Sequence, residues 1–201
     1  MNMKREKILK EIRSWIIIIG LALFLSALIN SQFFAMATVK EVSMQDTLIA
    51  EQRLVVNRLS YIKKSPQNGD IIVFYMNREI GSRLQEFFRS IGNIFSVFGR
   101  KEESRDRLVK RVIAVPGDVI DIIDGYVYVN NERLDEPYIK GITEPGSFKL
   151  PVTVGEDQLF VMGDNRESSM DSRDFGLIDF SHVEGKAVLR IYPFNKFGKI
   201  N

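Results

Sequence analysis

From Trp15 to Ala37 the chain has 23 consecutive residues without a charge. A helix needs roughly 20 mostly apolar residues to cross a hydrocarbon core, so this run constrains the fold before any other feature does. Ahead of it Lys4, Arg5, Lys7, Lys10 and Arg13 outnumber Glu6 and Glu11, and the whole chain is only +2. A basic flank stays in the cytoplasm, which sends everything after Ala37 across the membrane. The blemish is Asn30-Ser31-Gln32, since the unbroken part Trp15–Ile29 is shorter than a comfortable span. Two rival readings remain. One is a cleaved signal peptide ending at Ala35-Met36-Ala37, although its apolar region would exceed the usual ~7–15 residues. The other is a buried core helix. No second stretch is long and apolar enough to span. The expectation is a single-pass protein: residues 1–14 cytoplasmic, 15–37 in the membrane, 38–201 extracytoplasmic.

The absence of cysteine excludes disulfides, thiolate zinc sites, iron–sulfur clusters and a thiol nucleophile. A single histidine, His182, excludes a His-rich metal centre. The small net charge gives no support to nucleic-acid binding. Catalysis, if present, falls to Ser, Thr, Lys, carboxylates or backbone groups.

Beyond Val39 the texture is short β-type runs separated by turn residues. Arg53–Leu59, Ile71–Tyr75, Val109–Val115, Val119–Ile123, Tyr126–Val129, Gln158–Met162 and Lys186–Tyr192 are such runs. Asp124-Gly125 between two of them is a hairpin signal. The expected fold class is mainly β, a sandwich or distorted barrel. One segment differs: Ile80, Leu84, Phe87, Phe88, Ile91, Ile94, Phe95 and Phe98 recur at helical spacing among arginines. It reads as an amphipathic helix within a helical and charged insertion over 78–107, lying either on the β domain or on the bilayer.

Several residues could carry chemistry. His182 could serve a serine triad, but its setting looks like a turn before a strand. Lys110 lies in the apolar strand Leu108–Val115, and a lysine there acts as a base only if burial depresses its pKa. Strand alternation puts Lys110 with Val112 and Ala114, and Arg111 with Val109 and Ile113, without saying which face is buried. Ser60-Tyr61-Ile62-Lys63 has Ser-x-x-Lys spacing, a match common by chance. Gly163–Gly176 is too polar for a core and reads either as a solvated connection or as a rigid polar shelf beside a site.

Four ordered motifs behind the apolar run resemble the type I signal peptidases, membrane-anchored serine proteases that remove signal peptides from exported proteins. Ser43-Met44-Gln45-Asp46-Thr47-Leu48 is similar to the family's Ser-Met-x-Pro-Thr-Leu. Gly69-Asp70-Ile71-Ile72-Val73-Phe74 resembles its Gly-Asp-Ile-Val-Val-Phe. Val109–Asp118 resembles its lysine box, and Gly163–Gly176 its Gly-Asp-Asn-Arg-x-x-Ser-x-Asp-Ser-Arg-x-Phe-Gly box.

The resemblance implies a signal-peptidase-type β catalytic domain with a smaller β extension at about 119–158. It implies Ser43 as nucleophile, with its backbone N–H in the oxyanion hole, and Lys110 as general base. Ser169 would orient the lysine, while Asp171 and Arg173 would support the shelf as an ion pair. Met44 would sit beside the site, with lipid as one possible neighbour. The implied partners are signal peptides with small residues one and three positions before the cut, and the phospholipid bilayer. No cofactor, metal or nucleic acid is implied. The sequence departs from the pattern twice. Asp46 replaces a common proline and is expected to face solvent. Glu41 stands where relatives have Gly or a Ser that helps hold the oxyanion, and an ionised Glu cannot donate a hydrogen bond. These departures are the only support for a catalytically inactive, binding relative.

Overall fold

The computed structural model describes residues 2–77, 80–81, 85 and 107–200, without the side chains of 2–5 and 27–32. The expected helix over Ile80–Phe98, and the 78–107 insertion apart from Arg107, lie almost wholly outside them. Helix α1, Asn2–Gln32, ends where the sequence turns polar at Asn30-Ser31-Gln32. The expected span reached Ala37, but Phe34–Thr38 forms strand β1 instead. The reason is alternation: Ala35 and Ala37 turn into a core while Phe34 and Met36 stay exposed, a period of two that no helix provides. Among the described residues, no helix is long and apolar enough to cross a membrane.

Ala35–Ile80 and Glu103–Asn201 form one compact unit, built mainly of antiparallel β structure. Its larger sheet takes β1, β2 (Arg53–Asn57), β3 (Ile71–Tyr75), β4 (Arg107–Ala114), β9 (Gln158–Met162), β10 (Ile178–Asp179), β11 (Val183–Tyr192) and β12 (Gly198–Lys199). The order is β1-β2-β11-β3-β4-β9-β10, with β12 on β11. A second sheet, ordered β7-β6-β5-β8, is made of β5 (Val119–Ile123), β6 (Tyr126–Val129), β7 (Glu132–Arg133) and β8 (Val152–Thr153). Asp124 and Gly125 both have positive φ, as the two-residue turn joining β5 to β6 requires. Asn130 and Asn131 repeat the device between β6 and β7.

Three apolar clusters hold these layers together. Strand β3 is apolar throughout because both of its faces are covered. Ile71 and Val73 pack with Met44, Leu48, Leu54 and Val56, whereas Ile72 and Phe74 pack with Leu108, Val112, Leu159 and Val161. The third cluster joins Ile113, Phe160 and Met162 of the larger sheet to Ile120, Ile122 and Val127 of the smaller. Met44 is therefore core, 1% exposed, and has no face for lipid. Its apolarity serves the first cluster, which positions the serine that precedes it.

Candidate active site

Lys110 pairs with Ile72 of β3 at the middle of the sheet and is 1% exposed. Its strand-face neighbours Leu108 and Val112 are buried too. Among the described residues the amine reaches one polar partner, donating to Ser169 Oγ at 2.9 Å. Burial pulls the Lys110 pKa down from its ordinary value to about 8, and the Arg173 charge acts in the same direction. The carboxylates of Asp171, Glu41 and Asp164 oppose the shift without cancelling it. A substantial neutral fraction is thus available near pH 8, which an exposed lysine lacks.

Ser43 sits in a turn closed by Gln45 N–H donating to the Val42 carbonyl at 3.1 Å. Asn165 pins this turn from the shelf: its N–H donates to the Ser43 carbonyl at 3.0 Å, and Nδ2 donates to the Val42 carbonyl at 3.1 Å. Gly163 is the point where turn and shelf touch. A Cβ there would collide with both the Ser43 carbonyl oxygen and Ser169 Oγ, so glycine is required by space. Gly163 thereby lies against both the Ser43 carbonyl and Ser169 Oγ, the hydroxyl that receives the Lys110 amine. Ser43 itself is only 6% exposed.

The shelf is held by buried ion pairs. Asp171 caps the short helix α2, Ser172–Phe175, and accepts from Arg173 Nε and Nη2, both at 2.8 Å. Asp171 also accepts from the Gly163 N–H at 3.0 Å. Burial pushes its carboxyl up, but Arg173, the Gly163 N–H and the Ser169 hydroxyl together hold it below the usual carboxylate range. The Ser169 hydroxyl accepts from the lysine through one lone pair, which leaves its proton free to turn toward the Asp171 carboxylate.

Three further supports escaped the sequence reading. Arg111, on the opposite strand face from Lys110, makes a two-pronged pair with Asp164 at 2.9 and 2.8 Å. Thr47 donates to the same carboxylate at 2.6 Å, tying the serine turn to β4. Arg166 is buried against Glu136 and Thr143, and its carbonyl accepts from Arg173 Nη2 at 2.7 Å. Asp164 and Arg166 were visible within the polar stretch, but their partners lie far off in sequence.

The remaining candidates fall elsewhere. His182 closes a 3-10 turn, Phe180–His182, that leads into β11. Lys63 is exposed in a loop. Asp46 faces solvent as expected, its side chain 84% exposed and 3.5 Å from the Lys140 amine. Among the described residues there is no cluster of acidic or histidine side chains able to hold a metal.

A cleft of about 360 Å³ opens onto Ser43. One wall is Met36–Glu41, continuing β1; the other is Arg107–Val109 of β4. Both walls present strand edges. β1 is terminal in its sheet, and β4 pairs with β9 only from Arg111 onward. Arg107 bridges the walls, donating from Nη1 to the Met36 carbonyl at 2.8 Å and from Nε to Glu184 at 2.7 Å. A buried serine, a neutralisable lysine held by the adjoining shelf, and strand edges able to hold an extended chain form a set suited to acyl transfer on a peptide.

Comparison with known proteins agrees. The family model for signal peptidase, peptidase S26, matches residues 12–192. A signal peptidase IB of Staphylococcus aureus (strain COL) is 32% identical over 204 residues, covering 94% of this chain and 93% of that protein. A probable signal peptidase I-1 of Synechocystis is 37% identical over 159 residues, covering 79% and 71%. A crystal structure of a signal peptidase I from Enterococcus faecalis V583 aligns with a TM-score of 0.41 at 28% identity, covering 61% of this chain and 97% of that one. With nine-tenths of its length matched to one family, this chain belongs to the signal peptidases of peptidase family S26.

Proposed function

We propose that this chain is a membrane-anchored serine endopeptidase that cuts signal peptides from exported preproteins, with Ser43 as nucleophile and Lys110 as general base. The observation that carries the reading is the buried Lys110 amine, its pKa lowered to about 8, held by Ser169 beside the Ser43 turn. Neutral Lys110 takes the Ser43 hydroxyl proton as Oγ attacks the carbonyl carbon before the cut. The Ser43 N–H, which has no hydrogen-bond partner among the described residues, stabilises the oxyanion. Protonated Lys110 then passes its proton to the leaving amine, giving an acyl-enzyme. Water, deprotonated by Lys110, hydrolyses that ester and frees the signal peptide. Ser169 orients the amine, while Asp171 and Arg173 fix Ser169.

The substrate enters extended, pairing its backbone with the edges of β1 and β4. The confined space beside Ser43 selects small residues one and three positions before the cut by excluding larger ones. Anchorage rests on the uncharged run from Trp15, which α1 carries as a helix apolar on every side, with Trp15 to Ile19 all exposed. The basic segment before it would stay cytoplasmic, placing the catalytic domain on the outer side of the cytoplasmic membrane in a single pass. Bilayer contact by that domain is supported by a C-terminal patch in which Phe194, 82% exposed, and Phe197 flank Lys196. The smaller sheet is read as a β extension of the catalytic domain.

The test uses membranes carrying the full chain and a preprotein with an Ala-x-Ala site. Cleavage after that site is expected from the native protein. Ser43→Ala and Lys110→Ala should each abolish it, and the double variant should be hardly worse than either. Near-native turnover by folded Lys110→Ala would overturn the dyad.

A further inference from the structure

Glu41 lines the cleft two residues before Ser43, and its side chain is exposed. Among the described residues it forms no hydrogen bond or ion pair. The other acids near the lysine are neutralised: Asp171 by Arg173, and Asp164 by Arg111. Arg107, across the cleft, is taken up by Glu184 and the Met36 carbonyl. Lys40 lines the same wall and is exposed, without a partner among the described residues. The Glu41 charge is felt at the Lys110 amine, where it favours the protonated form. Its carboxylate therefore lies within electrostatic reach of the reacting atoms.

A fixed anion there works against the reaction. It discourages Lys110 from releasing its proton and repels a developing oxyanion. A cation brought by the substrate would offset both effects, and an additional anion would aggravate them. The residues one and three before the cut are small, so a charged side chain must come from a neighbouring position. We propose that Glu41 is a charge-selecting residue of the cleft, favouring preproteins with Lys or Arg beside the scissile bond and disfavouring Asp or Glu there. The inference rests on the Ser43–Lys110 reading and adds a substrate preference to it. Two unit charges about 6 Å apart in a water-like medium change a rate about threefold, so opposite substrate charges should differ about tenfold. Near 1 M salt the Debye length is only about 3 Å, and the preference should shrink.

The experiment uses the full chain in detergent and peptides with Ala one and three positions before the cut. Lys, Gln or Glu is placed either second before the cut or first after it. At low salt the native protein should show kcat/KM in the order Lys, Gln, Glu at one or both positions, with a spread of about tenfold. Glu41→Gln should compress that spread to within about twofold, and Glu41→Lys should invert it. A flat response of the native protein at both positions, or an undiminished spread in Glu41→Gln, overturns the proposal. The Gln peptides separate the two levels of the reading. If Ser43→Ala abolishes their cleavage while the charge response is flat, only the Glu41 inference fails. If Ser43→Ala still cleaves them, the dyad itself fails.

Discussion

Replacing Lys110 with Met should destroy activity and stabilise the protein. The substitution keeps the length and apolar stem of the side chain and removes only the amine. In the fold the amine's pKa falls from 10.5 to about 8, so keeping it protonated while buried costs about 3 kcal/mol at pH values below 8. Losing the hydrogen bond to Ser169 returns about 1 kcal/mol. The net expectation is a gain of about 2 kcal/mol near pH 6.5. The sign follows from linkage: between pH 8 and 10.5 the unfolded chain binds more protons at this site than the folded one. Native stability should therefore rise with pH across that window relative to Lys110→Met, and the advantage of the variant should disappear near pH 10.5. Unfolding by urea in mild detergent measures this. The lone tryptophan, Trp15, lies in α1, so circular dichroism of the β sheets is the appropriate signal. Parallel pH curves for the two proteins, or a variant less stable at every pH, would refute the claim that burial of this amine is costly.

Arg173→Ala should destabilise the fold by about 3–5 kcal/mol at pH 7, because it leaves the Asp171 carboxylate buried without its partner. The loss should be smaller at pH 4, where native Asp171 is still ionised but the orphaned carboxyl has gained a proton; denaturation at both pH values checks this. Gly163→Ala should cost about 1–3 kcal/mol in stability through overpacking and lower kcat far more than it raises KM, since the new methyl meets the Ser43 carbonyl and Ser169 Oγ. Steady-state kinetics on the purified variant reads that split.

The β character was legible because alternation and turn chemistry are local. Ile71–Tyr75, Val119–Ile123, Tyr126–Val129 and Gln158–Met162 form strands where the pattern put them. Strand β1 was hidden because its alanines continue an apolar run, and a five-residue alternation within such a run carries little signal. The two-residue strands β7, β8, β10 and β12 are too short to show any period. At the site, alternation placed Lys110 and Arg111 on opposite faces but left open which face was buried. The structure buries both: the face that carries Lys110 is covered by the cluster of Leu108, Val112, Phe74 and Val161, and on the other face Arg111 is paired with buried Asp164. The pairings Arg166–Glu136 and Arg107–Glu184 join residues 30 and 77 positions apart, distances at which no sequence periodicity operates. Met44 misled because an apolar side chain beside a membrane-linked site suits lipid and core equally well.

The proposed chemistry turns on a neutral lysine acting as the base. The pH dependence of kcat/KM for an uncharged signal-peptide substrate tests it most directly, because its acid limb reports the essential base of the free enzyme. The limb should rise through about 8 and stay in place in His182→Ala, which should keep most of its activity. An acid limb near 6.5 that vanishes in folded His182→Ala would contradict the account and make the imidazole the base.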